Sequence, residues 1–421
     1  MNKTLALAAF AAALGLAVTA EAETTVLKAA RYLDVSSGKY VAPAVIVVED
    51  GKIAAINPAA TPEGAVIDLG DMTLLPGLMD AHVHLTGEIK PGFEMEPVKL
   101  TIADEALEGV LHAKKTLLAG FTTVRNVGAG GFSDVSLARA IDKGWVEGPH
   151  VIPAGHALGI TGGHCDVTGF APGILEIGPE EGVADGVDAF VRAARYQIKH
   201  GAKVIKICAT AGVLSFEDSV GAQQMSFEEM KAVADEAHRH GLKVAAHAHG
   251  TAGIIAASNA GIDSIEHGSI ITPEAARILK KNGTWLDSTL YLAQTINWDA
   301  LPAPLAAKGR AVMPLADESF KVALKAGVKM ALGTDAAVYP HGLNAGELVR
   351  HVELGQSSID AIRSATIGDA ELFGLTDRGR IAPGLLADLI AVDGDPIADI
   401  KVLTTVGFVM KGGTVYKSPD K

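Results

Sequence analysis

Between about residues 100 and 340 the chain repeats one pattern of apolar and polar positions: an amphipathic helical stretch, a glycine, and a short apolar run with a polar end. These runs follow Gly120, Gly201, Gly241, Gly261, Gly283 and Gly327. Two further runs, "LLPGLMDAHVHL" at 74–85 and "HVIPAGH" at 150–156, bring the predicted strands to eight. Eight strands alternating with helices predict an α/β fold, a (β/α)8 TIM barrel with its chemistry at the carboxyl ends of the strands. A doubly wound open sheet is the alternative.

Both ends of the chain instead have the pattern of short strands joined by tight turns. Residues 23–70 contain an Asp-Gly turn at Asp50-Gly51, and residues 378–421 contain a Gly-Gly turn at Gly412-Gly413. Neither segment is large enough to hold a core alone. We therefore expect the two to pack together as a small β-sandwich domain beside the barrel, which takes residues 71–377.

The first 22 residues have the features of an export signal. Lys3 precedes an apolar run that is short for a membrane span, and Ala20-Glu21-Ala22 matches an A-x-A cleavage pattern. We expect residues 1–22 to be a signal peptide and the mature protein to be secreted, into the periplasm of a Gram-negative cell; an uncleaved anchor is the alternative. Export leads to an oxidising compartment, where Cys165 and Cys208 could pair, but we expect two separate buried thiols.

Charge narrows the class of partner. The chain of 421 residues has 36 lysines and arginines against 49 aspartates and glutamates, a formal net charge of −13. This acidic balance argues against nucleic acid, or an anionic membrane, as the main partner. A small-molecule substrate is expected instead, and a homo-oligomer is left open.

Candidate chemistry is concentrated where the predicted strands end. His82 and His84 are two positions apart, so both imidazoles point to the same side of a strand, as two ligands of one cation must. The same rim receives the polar ends of three further strands: His247, His249, His267 and Asp335. Any single one of these residues could be a hydrogen-bonded core histidine or a capping aspartate. Together, at one rim of one barrel, they predict a metal site.

A lysine interrupts the apolar run "KVIKICATAG". Lys206 shares one face of this strand with Val204 and Cys208, and both faces have the apolar character of buried positions. A free ammonium there is costly unless it is paired, loses its proton or is chemically altered. The simpler interpretation is a lysine that reaches solvent or a carboxylate. The alternative is that a neutral amine adds carbon dioxide and becomes a carbamate, an anion able to bridge two metal ions.

These motifs resemble those of the amidohydrolase superfamily, and more narrowly the branch of imidazolonepropionase-like proteins, Xaa-Pro dipeptidases (prolidases) and ochratoxinase-like carboxypeptidases. They occur in the family's order over nearly the whole mature chain: "LLPGLMDAHVHL", "GFTTVRNVG", "TGGHCD", "VIKICATAGV", "VAAHAHG", "SIEHGS", "LGTDA" and "GRIAPGLLADLIAVDGDP". The resemblance implies two divalent ions, expected to be zinc, with carboxylated Lys206 as their bridge and Asp335 as both ligand and proton carrier. The implied metal ligands are His82, His84, Lys206, His247, His267 and Asp335.

The implied reaction is hydrolysis of an amide bond in a dipeptide or an N-acyl-L-amino acid. Two ions that share a water lower its pKa and polarise the substrate carbonyl, while Asp335 moves the proton from the water to the leaving nitrogen. By resemblance to the dipeptidase-like branch, His164 and His249 contact the substrate; a backbone-bonded loop histidine is the alternative for His164. The alternative functions are a cyclic-amide hydrolase of the imidazolonepropionase type and a non-catalytic metal-binding protein.

Overall fold

The computed structural model describes residues 24–217 and 219–419, so the predicted signal peptide at 1–22 lies outside the described residues. Seven short strands come first. Their alternation of buried and exposed positions is clearest in the fifth strand, where Ile53 is buried between the exposed Lys52 and Ala54. The strands are β1 (Thr25–Ala29), β2 (Arg31–Asp34), β3 (Lys39–Val41), β4 (Ala44–Glu49), β5 (Lys52–Ile56), β6 (Ala65–Asp68) and β7 (Thr73–Pro76).

Eight strands and the helices between them follow. Helix ends are set by local sequence: Gly201 and Gly283 end helices with left-handed backbone, at φ 113° and 73°. Ser226 and Glu229 form the predicted capping box at the start of another helix. The elements are β8 (Leu78–Val83), α1 (Ile102–Leu118), β9 (Phe121–Asn126), α2 (Ser133–Asp142), β10 (His150–Pro153), α3 (Val187–His200), β11 (Val204–Cys208), α4 (Phe227–Arg239), β12 (Lys243–Ala248), α5 (Thr251–Asn259), β13 (Ser264–His267), α6 (Pro273–Asn282), β14 (Trp285–Asp287), α7 (Leu292–Thr295), α8 (Ala303–Ala326), β15 (Lys329–Met330), α9 (Gly346–Glu353), α10 (Ser358–Arg363) and α11 (Asp369–Phe373).

The eight middle strands are parallel and form two sheets, in the orders β10-β9-β8 and β11-β12-β13-β14-β15. Backbone hydrogen bonds cross both gaps between these sheets. Lys203 N donates to Pro153 O at 2.7 Å on one side, and Ala81 N donates to Leu332 O at 2.7 Å on the other. The predicted α/β class is confirmed, and the parallel direction brings the carboxyl ends of all eight strands to one side.

The two ends of the chain meet in one sheet. The last strands are β16 (Leu389–Val392), β17 (Val406–Lys411) and β18 (Thr414–Lys417). Strand β16 pairs with β7, so Leu389 lies opposite Pro76 in a six-stranded sheet of order β18-β17-β16-β7-β2-β3. A second sheet, β5-β4-β1-β6, completes this part, and the core includes the fully buried Leu27, Leu74 and Phe408. The predicted domain bounds stay a prediction.

The chain passes from the terminal sheet to the first parallel strand through Gly77, between β7 and β8. A Cβ atom at Gly77 would lie 2.2 Å from Thr122 Oγ1, so only glycine allows the two segments to approach so closely. This contact holds β8, which carries His82 and His84, against β9. None of the helices in residues 24–217 and 219–419 has both the length and the hydrophobicity to cross a membrane.

Candidate metal centre

The carboxyl ends of the parallel strands place every predicted site residue around two adjoining cavities. The larger cavity, of about 370 Å³, is lined by all six predicted metal ligands and by His164. His249 lines the smaller one beside it, together with His164, His247 and His267. The strand pattern in the sequence therefore accounts for this convergence except at His164, which lies in the loop after β10. The roles of all these residues stay predictions.

His82, His84 and Asp335 form the first group of donors. One ligand atom of each lies within 4.8 Å of the others. Asp335 Oδ1 is 3.5 Å from His82 Nε2 and 3.6 Å from His84 Nε2, so the three surround a common space. His84 Nδ1 donates to Gly128 O at 3.0 Å, which leaves the Nε2 lone pair to face that space.

His247 and His267 form the second group, with ring centroids 4.7 Å apart. His267 also lies 5.0 Å from His82, which joins the two groups. His267 Nδ1 hydrogen-bonds Thr289 Oγ1 at 2.8 Å. Among the described residues, the buried Nε2 of His247 has no hydrogen-bond partner. A buried nitrogen without a partner is costly, and a metal ion would remove that cost.

Lys206 stands beside both groups and is only 4% exposed. Burial lowers the pKa of its amine, while the charges of Glu266 and Asp335 raise it. Neither carboxylate forms an ion pair with this amine: in the described chain Glu266 pairs with Arg125 and His82, and Asp335 with histidines. Burial is the largest of these effects, so the pKa of the amine lies below its usual value.

The histidines around Lys206 are held in the protonation state that binds metals. Burial lowers the pKa of His82, His247 and His267 well below the usual value, and that of His84 to about 4. Burial raises the pKa of Asp335 to about 7, although the Lys206 charge lowers it. Neutral imidazoles offer lone pairs to a cation, so the donor set fits divalent metal ions.

Two of these donors lie on strained backbone. His267 and Asp335 have left-handed φ angles of 69° and 57°. Such conformations cost non-glycine residues of order 1–3 kcal/mol each, and they cluster at functional sites. Asp335 N donates to His82 O at 2.7 Å, which holds the turn in place. The strain directs both side chains into the cavity.

His164 and His249 are bonded to hydroxyl groups. His164 Nδ1 lies 2.6 Å from Ser215 Oγ, and His249 Nδ1 lies 2.8 Å from Ser269 Oγ. Lys308 Nζ donates to Ser215 O at 2.5 Å and so supports the loop behind His164. Burial lowers the pKa of both histidines to about 3. Each is a neutral, oriented hydrogen-bonding group at the cavity wall.

Comparison with known proteins identifies the family of this chain. The model of the Amidohydrolase family matches residues 73–416. The chain belongs to the amidohydrolase family. It is 33% identical to ochratoxinase from Aspergillus niger, over 96% of this chain and 89% of that protein. The crystal structure of A. niger ochratoxinase has a TM-score of 0.82 at 32% identity, over 95% of this chain and 97% of that chain.

Two other relatives lie in the predicted branch. The crystal structure of a Xaa-Pro dipeptidase with bound methionine has a TM-score of 0.90 at 38% identity, covering 94% of this amidohydrolase and 100% of that chain. Imidazolonepropionase from Pyrobaculum arsenaticum is 27% identical over 83% of this chain and 86% of that protein. The predicted family, and the prediction of a hydrolase that acts on amide bonds, are confirmed.

Sequence analysis missed the group that orients His82 in this amidohydrolase. Glu266 Oε2 accepts from His82 Nδ1 at 2.9 Å, and Arg125 Nη2 donates to Glu266 Oε1 at 2.9 Å. Burial raises the pKa of Glu266, but the Arg125 charge and the His82 hydrogen bond outweigh it and hold the pKa below the usual range. The available signal was Glu266 itself, a carboxylate inside an apolar strand, which needs a buried partner.

The expectation of two separate thiols is wrong, because Cys165 and Cys208 form a disulfide with 5.8 Å between their Cα atoms. The loop after β10 folds back over the end of β11, where Cys208 N donates to Leu158 O at 2.8 Å. Strand spacing alone does not predict the course of that loop. Cys165 follows His164, so the bond fixes the loop that carries His164 to the strand that carries Lys206.

Loss of this disulfide should weaken substrate binding more than metal binding. In Cys165→Ser and Cys208→Ser variants we expect KM to rise by roughly 10-fold with metal content unchanged, because a native disulfide stabilises by about 2–5 kcal/mol and this one restrains the His164 loop. Steady-state kinetics and metal analysis check this. Two titratable thiols in the unreduced wild-type protein, or an unchanged KM, would contradict it.

Loss of the Glu266 carboxylate should weaken metal binding through His82. We expect Glu266→Gln to lower metal affinity by about 10–100-fold, the usual effect of removing an outer hydrogen-bond partner. Competition with a chromophoric chelator measures the affinity. Asp263→Asn, which alters a carboxylate just before the same strand, is the matched control and should bind metal as wild type does. Equal affinities of the two variants would count against this role.

Proposed function

We propose that this amidohydrolase is a metal-dependent enzyme that hydrolyses the amide bond of dipeptides or N-acyl-L-amino acids. Two divalent ions, expected to be zinc, would occupy the larger cavity. The observation that carries the proposal is the convergence of neutral imidazoles, the buried Lys206 amine and Asp335 on one space. The proposed metal ligands are His82, His84, Lys206, His247, His267 and Asp335.

The proposed scaffold is a closed (β/α)8 barrel with a small β-sandwich domain. The hydrogen bonds that cross both gaps between the parallel sheets support closure. A parallel bridge joins Val83 to Ala336 on one side, and another joins Leu158 to Ile207 on the other. Closure explains why ligands far apart in sequence meet at one rim.

Lys206 is the proposed bridge between the two ions, as a carbamate formed with carbon dioxide. Reaction with carbon dioxide requires a neutral amine, and burial lowers the pKa of Lys206 in that direction. The other five proposed ligands are four neutral imidazoles and one carboxylate. The carbamate would add a second anion to this set.

The protein's own residues would move the proton and bind the substrate, beside the chemistry that the metal ions supply. Bound divalent ions supply polarisation of the amide carbonyl and a water of lowered pKa. Asp335 takes the proton of the attacking water and returns it to the leaving nitrogen, because it is the one carboxylate among the proposed ligands and its Oδ1 lies 3.5 Å from His82 Nε2 and 3.6 Å from His84 Nε2. Ser215 Oγ can donate to His164 Nδ1, which leaves Nε2–H to donate to the substrate carbonyl or carboxylate.

The smaller cavity indicates which substrates fit. His164 and His249 line it together with His247 and His267 of the metal centre. Its lining also includes the apolar side chains of Leu292, Ile296, Trp298 and Met313. An apolar side chain of the substrate would be desolvated there, so we expect open-chain amides with apolar amino acids to be preferred. Relatives with prolidase and ochratoxinase activity support an open-chain amide.

Export to the periplasm completes the proposal. The signal-peptide pattern at residues 1–22 motivates it. The Cys165–Cys208 disulfide is an independent support, because structural disulfides persist in oxidising compartments and are rare in a reducing cytosol.

Removal of the lysine should abolish the bridge. We expect Lys206→Ala to bind at least one metal ion per chain fewer than wild type does and to lose more than about 100-fold in kcat/KM, beyond the usual effect of an outer partner. Metal analysis and kinetics test this, with Lys203→Ala as control, because Lys203 is an exposed lysine of the same segment. Metal content equal to that of wild type, with full activity, in Lys206→Ala would overturn the binuclear mechanism.

A substrate panel tests the proposed reaction. Zinc-loaded enzyme should hydrolyse N-acyl amino acids and Xaa-Xaa dipeptides, with kcat/KM rising from polar to apolar side chains as about 0.8 kcal/mol is gained for each buried methylene. Imidazolone and hydantoin rings should be poor substrates. Faster turnover of the rings would favour the cyclic-amide alternative, and no turnover of any compound would favour a binding protein.

A further inference from the structure

A second group of metal-binding side chains lies outside the six proposed ligands. Glu88 follows β8, His112 belongs to α1, and His341 follows the turn at Asp335. One ring nitrogen of each histidine and one carboxylate oxygen of Glu88 lie within 4.8 Å of one another. His112 and His341 are each 4% exposed, and their rings stack with centroids 4.3 Å apart.

Backbone carbonyls occupy one nitrogen of each imidazole. His112 Nδ1 donates to Leu85 O at 2.9 Å, and His341 Nε2 donates to Gly87 O at 3.0 Å. These bonds fix both tautomers and leave a lone pair on His112 Nε2 and on His341 Nδ1. A carbonyl that orients a histidine in this way is the usual support of a metal ligand.

The remaining donor atoms are not satisfied by the protein. Within the described residues, the buried His341 Nδ1 and Glu88 Oε2 have no hydrogen-bond partner. His112 Nε2 lies 3.8 Å from Glu88 Oε2, which is too long for a hydrogen bond. Buried polar atoms of this kind require a partner such as an ion or a water molecule.

We propose that Glu88, His112 and His341 bind a third divalent metal ion. Two imidazoles and a carboxylate are a donor set for zinc and other first-row ions. Ligand bonds of about 2.0–2.2 Å place donors on one ion up to roughly 4.4 Å apart, so only a small closure is needed. Glu88 Oε2 lies 3.8 Å from His112 Nε2, and the Glu88 side chain is 25% exposed, so it is less tightly enclosed than the two histidines.

The ion would join three segments of the rim. Glu88 also lines the larger cavity, so the site stands directly behind the wall of the proposed active site. It would fix the segment after His84 to α1 and to the loop after Asp335. This inference does not depend on the proposed function, because none of its three ligands belongs to the binuclear set.

Zinc binding to the metal-free full-length protein tests the proposal. After removal of metal by a chelator, the protein is reloaded with zinc, freed of excess and analysed for zinc per chain. Wild type should bind three ions, and His341→Asn and Glu88→Gln should each bind one fewer. The matched control is His238→Asn, a histidine with a 40% exposed side chain, which should bind as wild type does.

Two further measurements keep the outcomes distinct. His247→Asn removes a proposed binuclear ligand, and adding His341→Asn to it should remove one more ion if the two sites are independent. Should His341→Asn fail to fold, Glu88→Gln, altered at a partly exposed side chain, still gives the count. Zinc content equal in wild type, His341→Asn and Glu88→Gln would overturn the third site and leave a water in its place. Fewer than two ions in wild type, with one lost on Glu88→Gln, would instead overturn the binuclear centre alone.

Discussion

Burial of ionisable groups at the carboxyl ends of the parallel strands is the constraint on which the candidate centre depends. In water the imidazoles, Lys206 and Asp335 would exchange protons freely. Because these groups are buried away from water, the histidines stay neutral and the pKa of the lysine amine falls. The charges of Arg125 and Glu266, which lie nearby, neutralise each other in a buried ion pair of 2.9 Å. The cavity is therefore lined by nitrogen lone pairs and by the Asp335 carboxyl group, a set of donors that cations would satisfy.

The geometry of this site lowers the stability of the metal-free protein. Left-handed backbone at His267 and Asp335 and an unpartnered nitrogen on His247 each raise the free energy of the folded state. Metal binding would recover part of that cost, because ligands that bind only the folded state stabilise it by mass action. The disulfide from Cys165 to Cys208 acts without metal, so the His164 loop is held before any ion arrives.

Local patterns predicted much of this molecule. Period-two spacing placed His82 and His84 on one side of a strand, and the helix-ending glycines located the parallel strands that bring Lys206 and Asp335 to the same rim. Contacts made through irregular loops or between distant strands could not be predicted this way. The pairing of β7 with β16 joins residues more than three hundred positions apart. The Cys165–Cys208 bond depends on the path of a loop with no periodic signal.

The presence of a buried histidine does not by itself indicate a functional site in this protein. Whether both of its ring nitrogens have hydrogen-bond partners is more informative. Fully buried His351 uses both nitrogens, Nδ1 with Gln356 Oε1 at 2.9 Å and Nε2 with Glu347 Oε1 at 3.1 Å, so it has no lone pair to offer a ligand. His200 leaves Nε2 unpartnered, but it packs against the rings of Phe132 and Tyr196 instead of other donors. His247 and His341 combine a free nitrogen with converging donors. That combination cannot be read from the sequence, and it distinguishes these two candidate metal ligands from His351 and His200.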